Sequence, residues 1–512
     1  MEGAGQQEEA PPMYEQNHLI RELREASLGR EDAVFAQIPG GADVTFGALF
    51  AGAERMAAAL AAKGVKPGAR VAVQVSKTIQ AIELYLGTVM AGGIFLPLNT
   101  AYTVPEVAYF VGDALPHVVV CDPAREEETR GIAGNAEVLT LDAAGQGSLC
   151  NLADAQGGFD AVARAEDDLA AILYTSGTTG RSKGAMLSHG NLASNSLTLR
   201  DYWQFTDDDV LIHALPIFHT HGLFVATNVA LFAGAQVVFL PGFDADAILA
   251  AMPQATALMG VPTFYTRLLA DPRLDKAQAA NMRLFISGSA PLLVDTHEQW
   301  QARTGHRILE RYGMTETNMS TSNPYDGERR AGTVGLPLPG VEARVMKDGA
   351  EVPAGEIGVL EVRGPNVFQG YWQMPEKTAE ELQEDGWFFT GDMAKIDSDG
   401  YVTVVGREKD LVITGGFNVY PKEVESLIDD LPGVLESAVI GVPHPDFGEA
   451  VVAVVVPEGA GTSAEAVNAA LAGQLAKFKQ PKYVVLVEAL PRNTMGKVQK
   501  KALREEYAGL FS

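Results

Sequence analysis

Apolar and polar positions along the chain fall into short runs whose period changes several times. Residues 70–75 (RVAVQV), 95–98 (FLPL) and 117–121 (HVVVC) are apolar runs of strand length, and residues 80–91 form an apolar stretch of helical length. Strand-like runs alternating with helix-like patterns predict α/β layers built on parallel sheets. Residues 235–240 and 283–287 continue the theme. After about residue 335 short alternating strands take over, at 342–346, 359–363 and 401–405, separated by turn signals such as Asp399-Gly400, so a small β unit is expected there. The remainder predicts a compact α+β domain, with helices over 421–431 and 464–475 and strands over 437–442 and 450–456. A linker is expected near 406–411, and the Gly-rich stretch 457–462 reads as a loop inside the small domain.

Composition narrows the class. A chain of 512 residues is too long for one core and predicts roughly two to four domains. Hydrophobic content of 47% with 20% charged residues is that of a soluble globular protein. The net charge of −26 argues against general binding to nucleic acid or to anionic membrane, both of which need a basic surface. Cys121 and Cys150 are too few for a disulfide framework or a metal cluster and read as reduced thiols. The longest apolar run, 84–98, is broken by Gly92, Gly93 and Pro97 and is too short to span a bilayer. Residues 1–16, MEGAGQQEEAPPMYEQ, resemble neither a secretory signal nor a transit peptide and read as a disordered extension. A cytoplasmic protein is expected.

The stretch 174–184, YTSGTTGRSKG, lies between two apolar runs, 169–174 and 184–187, with a helix expected only after 188–191. It therefore connects strand to strand. The ATPase loop G-x-x-x-x-G-K-[ST] runs from strand into helix, and here Lys183 follows Gly180 at the wrong spacing. The chemistry still suits phosphate. Gly177, Gly180 and Gly184 let backbone approach closely, Thr175, Ser176, Thr178 and Thr179 carry hydroxyls, and Lys183, with Arg181 nearby, carries charge. The plain alternative is a surface hairpin rich in turn residues.

Further motifs stand beyond this loop: ERYGMTET (310–317), TGD (390–392), GREKD (406–410), GGFN (415–418) and PRNTMGK (491–497). With YTSGTTGRSKG they resemble, in order, the acyl-adenylate-forming superfamily of acyl-CoA synthetases, carrier-loading adenylation domains and luciferase-type enzymes. The resemblance covers nearly everything after about residue 30. It implies an α/β fold: a large N-terminal domain of two doubly wound subdomains plus a small β-barrel, over 17–408, and a small mobile α+β C-terminal domain over 409–512. It also implies a two-step reaction in which a carboxylate attacks the α-phosphorus of ATP and a thiol, that of coenzyme A, then displaces AMP.

What the resemblance implies for residues follows the same motifs. Lys497 would be the main cation of adenylation, against the plain reading of a surface lysine in a tail that also holds Lys500 and Lys501. Lysine acetylation there would remove the charge. Glu316 would anchor Mg²⁺, with Thr175 and Thr315 as second candidates; a hard cation suits few carboxylates plus substrate phosphates. Asp397-Ser-Asp-Gly400 reads as a hairpin turn rather than a calcium loop, because Lys395 would occupy the first ligand position. Asp392 would clamp the ribose with Arg407 beside it. Ser287, Ser289 and Ala290, with Glu310, Arg311, Tyr312, Gly313 and Met314, would wall the nucleotide, Tyr312 stacking on adenine. Lys409 would mark the hinge about which the C-terminal domain turns, bringing Gly415, Gly416 and Phe417 to line the pantetheine channel.

The acid is the least determined part. A dicarboxylate needs an inner cation, since a buried carboxylate without a partner costs several kcal/mol. Pro262 suits the first turn of a helix, which sets Thr263 and Arg267 on one face, so Arg267 is a candidate for the distal carboxylate. An exposed arginine paired with Asp271 is the plain alternative. His219 and His221, in FHTHG (218–222), are candidates for the reacting end, with Ser287 and Met314 also facing the acid. The segments HTHGLF, GVPTFYTR, RYGMTETN and ITGGFNVYPKE look very much like malonate-activating members of the superfamily, which implies malonate, with methylmalonate second. A short monocarboxylic or aryl acid stays open as an alternative, and a luciferase-like oxygenase acting on an adenylate is the alternative of another class.

Overall fold

The computed structural model describes residues 16–175, 182–415, 417–459, 461–472, 474–493 and 496–511. Packing divides the chain into two compact units: Met1–Thr256 with Thr315–Asn318 and Pro365–Thr378, and Ala257–Met314 with Met319–Gly364 and Ala379–Ser512. The expected extension over 1–16 falls almost wholly outside the described residues.

The first unit is built on a six-stranded sheet, ordered Glu137–Thr140, Val118–Cys121, Arg70–Gln74, Ile94–Pro97, Leu169–Thr175 and Lys183–Ser188. All neighbours are parallel except the last pair, an antiparallel hairpin. The runs read as strands are buried along nearly their whole length, as strands covered on both faces must be. Covering helices Phe46–Ala62 and Ile79–Met90 are capped by Thr45 and Thr78, whose side chains accept from the N–H groups of Ala48 and Ala81. They cross so closely that a Cβ on Gly87 would lie 2.7 Å from the Ala53 carbonyl oxygen. A second parallel set joins Val210–His213, Gln236–Phe239 and Val34–Gln37.

One boundary differs from expectation. The helix after the hairpin starts at His189, not after Asn191. Ser188 caps it by accepting from the Asn191 N–H, and the Asn191 side chain accepts in return from the Ser188 N–H. The polar run that reads as loop is thus the first helical turn.

In the second unit Ala257–Gly260, Leu284–Ser287 and Leu309–Met314 run parallel. The region of short strands forms a five-stranded antiparallel sheet, ordered Ala350–Glu351, Glu342–Lys347, Gly358–Arg363, Phe388–Ile396 and Val402–Arg407. Its Asp397–Gly400 connection is the expected hairpin turn: Asp397 Oδ1 accepts from the N–H groups of Asp399 and Tyr401, and Gly400 has φ +89°. The C-terminal part carries a sheet of Phe417–Val419, Val412–Thr414, Gly448–Pro457 and Val434–His444, with Tyr483–Leu486 parallel to Gly448–Pro457. Alternation along Val434–His444 sends Val439 to the core under helix Pro421–Asp429, and Ala438, Ile440 and Val442 to the core under helix Lys500–Glu506. Cys121 and Cys150 are buried and unpaired. No helix among the described residues is long and apolar enough to cross a membrane.

Candidate active site

In an α/β sheet the loops that bind ligands leave the carboxyl ends of the strands. In the first unit, Leu169–Thr175 ends where the glycine-rich stretch of the sequence begins. Ser176, Gly177, Thr178, Thr179, Gly180 and Arg181 lie outside the described residues. The frame around them is held firmly. Thr175 pairs with Lys183 in the hairpin register, Tyr109 O–H donates to Ser182 O (2.8 Å), and Tyr174 O–H donates to Asp113 (2.5 Å). Glu316 is buried and accepts from Tyr371 O–H at 2.9 Å, while Lys183 Nζ stands 4.1 Å from the centre of the Tyr371 ring. Thr315 lines a small recess with Tyr174, Phe218, His219, Asn99 and Tyr102.

His219 Nε2 is buried with no partner among the described residues, and burial pulls its pKa down to about 4, so the ring is neutral at physiological pH. His221 is fully buried and opens the widened helical segment His221–Thr227. Such π turns recur where a helix bears function. A network behind the segment fixes it. Lys77 Nζ donates to His213 Nδ1 (3.0 Å) and to His213 O (2.7 Å), which leaves His213 Nε2–H to donate to Gly222 O and Thr227 Oγ1, both at 3.0 Å.

In the second unit three strand ends deliver the remaining candidates. Ala257–Gly260 leads into helix Pro262–Leu269, where Pro262 takes the first helical position and Arg267 is exposed. Asp271, four residues on, accepts from Arg273 Nε (2.9 Å) and Nη2 (2.5 Å). Leu284–Ser287 leads into Gly288, Ser289 and Ala290. The Ser287 hydroxyl is buried without a partner among the described residues, and Ser289 takes φ +71°, a left-handed conformation that non-glycine residues adopt at a cost. Leu309–Met314 carries alternating side chains. Tyr312 O–H donates to Asp392 Oδ2 (2.5 Å); Arg407 Nε pairs with Asp392 Oδ1 (2.7 Å), and Arg407 Nη1 donates to Thr390 O (3.0 Å). Glu310 turns to His297 Nδ1 (3.1 Å) and the Gly332 N–H (3.2 Å), with burial raising its pKa. Gly313 and Met314 stay half-buried at the strand's end.

Arg311 points to the other face of that strand and separates from Tyr312. It is 3% exposed, and its Nε and Nη2 have no partner among the described residues. Its guanidinium lies flat against Gly288, where an added Cβ would sit 2.4 Å from Cζ. Burial pulls its pKa down to about 9, opposed by Tyr265 of the Pro262 helix. The resemblance groups Arg311 with the nucleotide wall; in the structure its guanidinium meets Gly288 and the neighbourhood of Tyr265. The alternation within LERYGM is the signal that separates the two neighbours.

Lys497 follows a closed turn. Gly496 N–H donates to Asn493 O, Lys497 N–H to Asn493 Oδ1, and Asn493 N–H to Lys497 O, each at 2.9 Å. Gly496 has φ +74° and faces Thr263, whose Oγ1 would lie 3.3 Å from an added Cβ. The Lys497 side chain stays open to solvent, yet the protein around it, then Arg407, lowers its pKa, while Asp392 and Asp410 raise it. Lys409, in the turn Glu408–Asp410, is brought down to about 8 by burial and then by Arg407. Gly415 (φ +57°) lies against Phe447, and exposed Phe417 stacks on Phe478 at 4.7 Å; Gly416 lies outside the described residues. Lys497, Arg407, Asp392, Tyr312 and Lys409 are therefore gathered in one neighbourhood.

Residues 23–372 match the family model described as AMP-binding enzyme, and residues 423–497 match the AMP-binding enzyme C-terminal domain. The chain belongs to the AMP-binding enzyme family. Among solved structures, ATP-bound MatB from Rhodopseudomonas palustris is similar to this AMP-binding enzyme with a TM-score of 0.95 and 60% identity, over 97% of this chain and 100% of that one. The malonate–CoA ligase of Arabidopsis thaliana is 35% identical over 480 residues, 86% of this chain and 78% of that protein. The indoleacetate–CoA ligase of Aromatoleum aromaticum is 37% identical over 480 residues, 90% and 93% of the two. The mixed α/β fold of this AMP-binding enzyme thus matches that of an adenylate-forming relative along nearly its full length. The motifs carry the family; Tyr371 lies outside all of them, and only its place in the fold points to it.

Proposed function

We propose that this chain is an ATP-dependent acid–thiol ligase that forms malonyl-CoA from malonate and CoA through malonyl-adenylate, releasing AMP and pyrophosphate, with methylmalonate as a second acid. The observation that carries the choice of acid is the likeness along most of the chain to a relative named malonate–CoA ligase; the buried guanidinium of Arg311, with two nitrogens unpaired among the described residues, is a candidate cation for the distal carboxylate. A buried charge without a partner is costly, and a distal carboxylate would supply both charge and bidentate acceptors. Arg267, exposed on the neighbouring helix, is the second cation for that end. The Arabidopsis relative named for malonate agrees with this reading.

The adenylation step brings two anions together, so fixed cations and oriented donors matter most. Lys497 would place its ammonium on the oxygens around the α-phosphate, from a position beside Arg407, Asp392 and Asp410. Lys183 would hold the outer phosphates. Asp392 would accept from the ribose hydroxyls, with Tyr312 and Arg407 holding its two oxygens in orientation. Neutral His219, lining the recess with Thr315, can donate to the attacking carboxylate without a proton being moved first. Among the described residues no group of three or more His, Cys, Asp or Glu could hold a metal. Glu316, a buried carboxylate, fits Mg²⁺ held by one side chain and the substrate phosphates. When bound, the ion would neutralise phosphate charge. For the second step, rotation about Lys409 would withdraw Lys497 and bring Gly415 and Phe417 to the thiol's path. Acetylation of Lys497 would silence the first step by removing the charge.

The reading is tested by CoA-dependent AMP formation with malonate, methylmalonate, succinate, acetate, butyrate and benzoate. Malonate is expected to exceed acetate in kcat/KM by about 10²-fold or more, because acetate leaves the buried guanidinium unpaired. Benzoate in front would favour the aryl-acid reading, which the indoleacetate-activating relative keeps open. Asp392→Asn is expected to raise the KM for ATP about tenfold with little change in the KM for malonate. An unchanged ATP KM would remove Asp392 from the nucleotide site.

A further inference from the structure

The segment 365–372 carries none of the motif residues, yet it is tied to two of them. On one side it runs along the strand Lys183–Ser188. Met186 N–H donates to Gly370 O (3.0 Å), Gln369 N–H to Met186 O (2.9 Å) and Trp372 N–H to Gly184 O (2.7 Å). On the other side it grips the turn that holds Glu316. Phe368 N–H donates to Glu316 O (2.8 Å), and the Asn366 amide donates to Thr317 O (2.7 Å). Asn191, in the first turn of its helix, anchors the start of the segment by donating to Pro365 O (2.8 Å) and Val367 O (2.9 Å).

Tyr371 sits where the two sides meet. It is 2% exposed, its ring stacks edge-on with Phe368 at 4.8 Å, and its own N–H donates to Thr378 Oγ1. Its ring face lies 4.1 Å from the Lys183 ammonium, and its hydroxyl donates to Glu316 Oε1 at 2.9 Å. A phenol can do both without adding charge. The ring attracts a cation through its quadrupole, and the neutral O–H orients a carboxylate without cancelling its negative charge.

We propose that Tyr371 is a positioning residue that sets the Lys183 ammonium against the Glu316 carboxylate, and so fixes where the nucleotide's phosphates and their divalent cation are received. The inference rests on the reading of Lys183 and Glu316 given above. An arginine in that place would neutralise Glu316 and compete with a divalent ion for it; a phenylalanine would support Lys183 alone.

The test is calorimetric binding of a non-hydrolysable ATP analogue to the full chain, without acid or CoA, once with Mg²⁺ and once with EDTA. Tyr371→Phe is expected to weaken binding about tenfold with Mg²⁺ and to change it less than about twofold in EDTA, since only the bond to the carboxylate is lost. Tyr371→Leu, which also removes the ring under Lys183, is expected to weaken binding in both conditions. In steady state, Tyr371→Phe should raise the KM for Mg-ATP by the same factor and leave the KM for malonate unchanged, with Tm within a few degrees of the parent. Glu316→Gln is the control for the underlying reading. If Glu316→Gln loses Mg²⁺-dependent binding and Tyr371→Phe does not, Tyr371 has no positioning role. If Glu316→Gln binds like the parent, Glu316 is not the ion's anchor and the inference falls with it. An equal loss for Tyr371→Phe in Mg²⁺ and EDTA also overturns it.

Discussion

Lys497→Ala is expected to slow formation of the acyl-adenylate by about 10²–10³-fold and to leave thioester formation from supplied malonyl-adenylate close to the parent rate. The separation follows from what holds the lysine. Its turn is closed by backbone bonds and the Asn493 side chain, and the Arg492 side chain bonds Gly496 O and Glu436. None of these uses the Lys497 ammonium, so alanine keeps the turn and deletes only the charge. On the proposed reading its neighbours Asp392 and Arg407 belong to the nucleotide end of the chemistry, where charge builds up in the first step only. Rapid-quench measurement of each half-reaction decides the matter. Equal loss in both halves would mean that Lys497 serves one fixed site, and the assignment of Lys409 as a hinge would go with it.

Arg311→Met carries the second large effect, and its sign differs between function and stability. Malonate kcat/KM is expected to fall by about 10²–10³-fold, because a distal carboxylate would then be buried without its cation. Acetate and butyrate should lose much less. The free protein, by contrast, should melt at an equal or higher temperature. The folded pKa of Arg311 is about 9, below the arginine value in the unfolded chain, so the unfolded state holds that proton more tightly. The buried charge therefore costs stability throughout the range below about pH 9, and methionine relieves that cost. Malonate should raise the Tm of the parent and lose this effect in the variant. Arg267→Ala, measured alongside, apportions the pocket. If Arg267→Ala abolishes malonate use and Arg311→Met does not, the exposed helix arginine is the anchor after all.

Much of the architecture was legible because local pattern and tertiary role agree. The apolar runs 70–75, 95–98 and 117–121 became strands of one parallel sheet within a residue or two of their predicted ends, since a strand buried on both faces has little choice of residue. Turn chemistry at Asp397–Gly400 was equally plain, being local. The start of helix His189–Tyr202 was obscured because Ser, His, Gly and Asn look like loop residues until the reciprocal cap is seen. For the candidate site, motifs pointed to Asp392, Arg407 and Lys497, which the fold gathers from distant parts of the sequence. Arg311 was visible in its motif, but its burial against Gly288 was not, because strand alternation sets the face of a residue only once the strand is known. Tyr371 was out of reach: its meaning comes from contacts with residues more than 50 positions away, and nothing in its own neighbourhood signals them.

The flat contact between Gly288 and Arg311 has a consequence for how this sequence can drift. Alanine at 288 would put a methyl group 2.4 Å from the guanidinium carbon, so the glycine cannot change while the arginine keeps its place. The two positions therefore behave as one heritable unit with a preferred order of change. If Arg311 holds the distal carboxylate as proposed, a descendant turning to neutral or bulkier acids would give up Arg311 first, and only then would position 288 become free to vary and reshape the wall. The reverse order passes through an intermediate that has displaced its own anchor. Ancestral or engineered lineages that alter acid choice should carry the arginine change on the earlier branch.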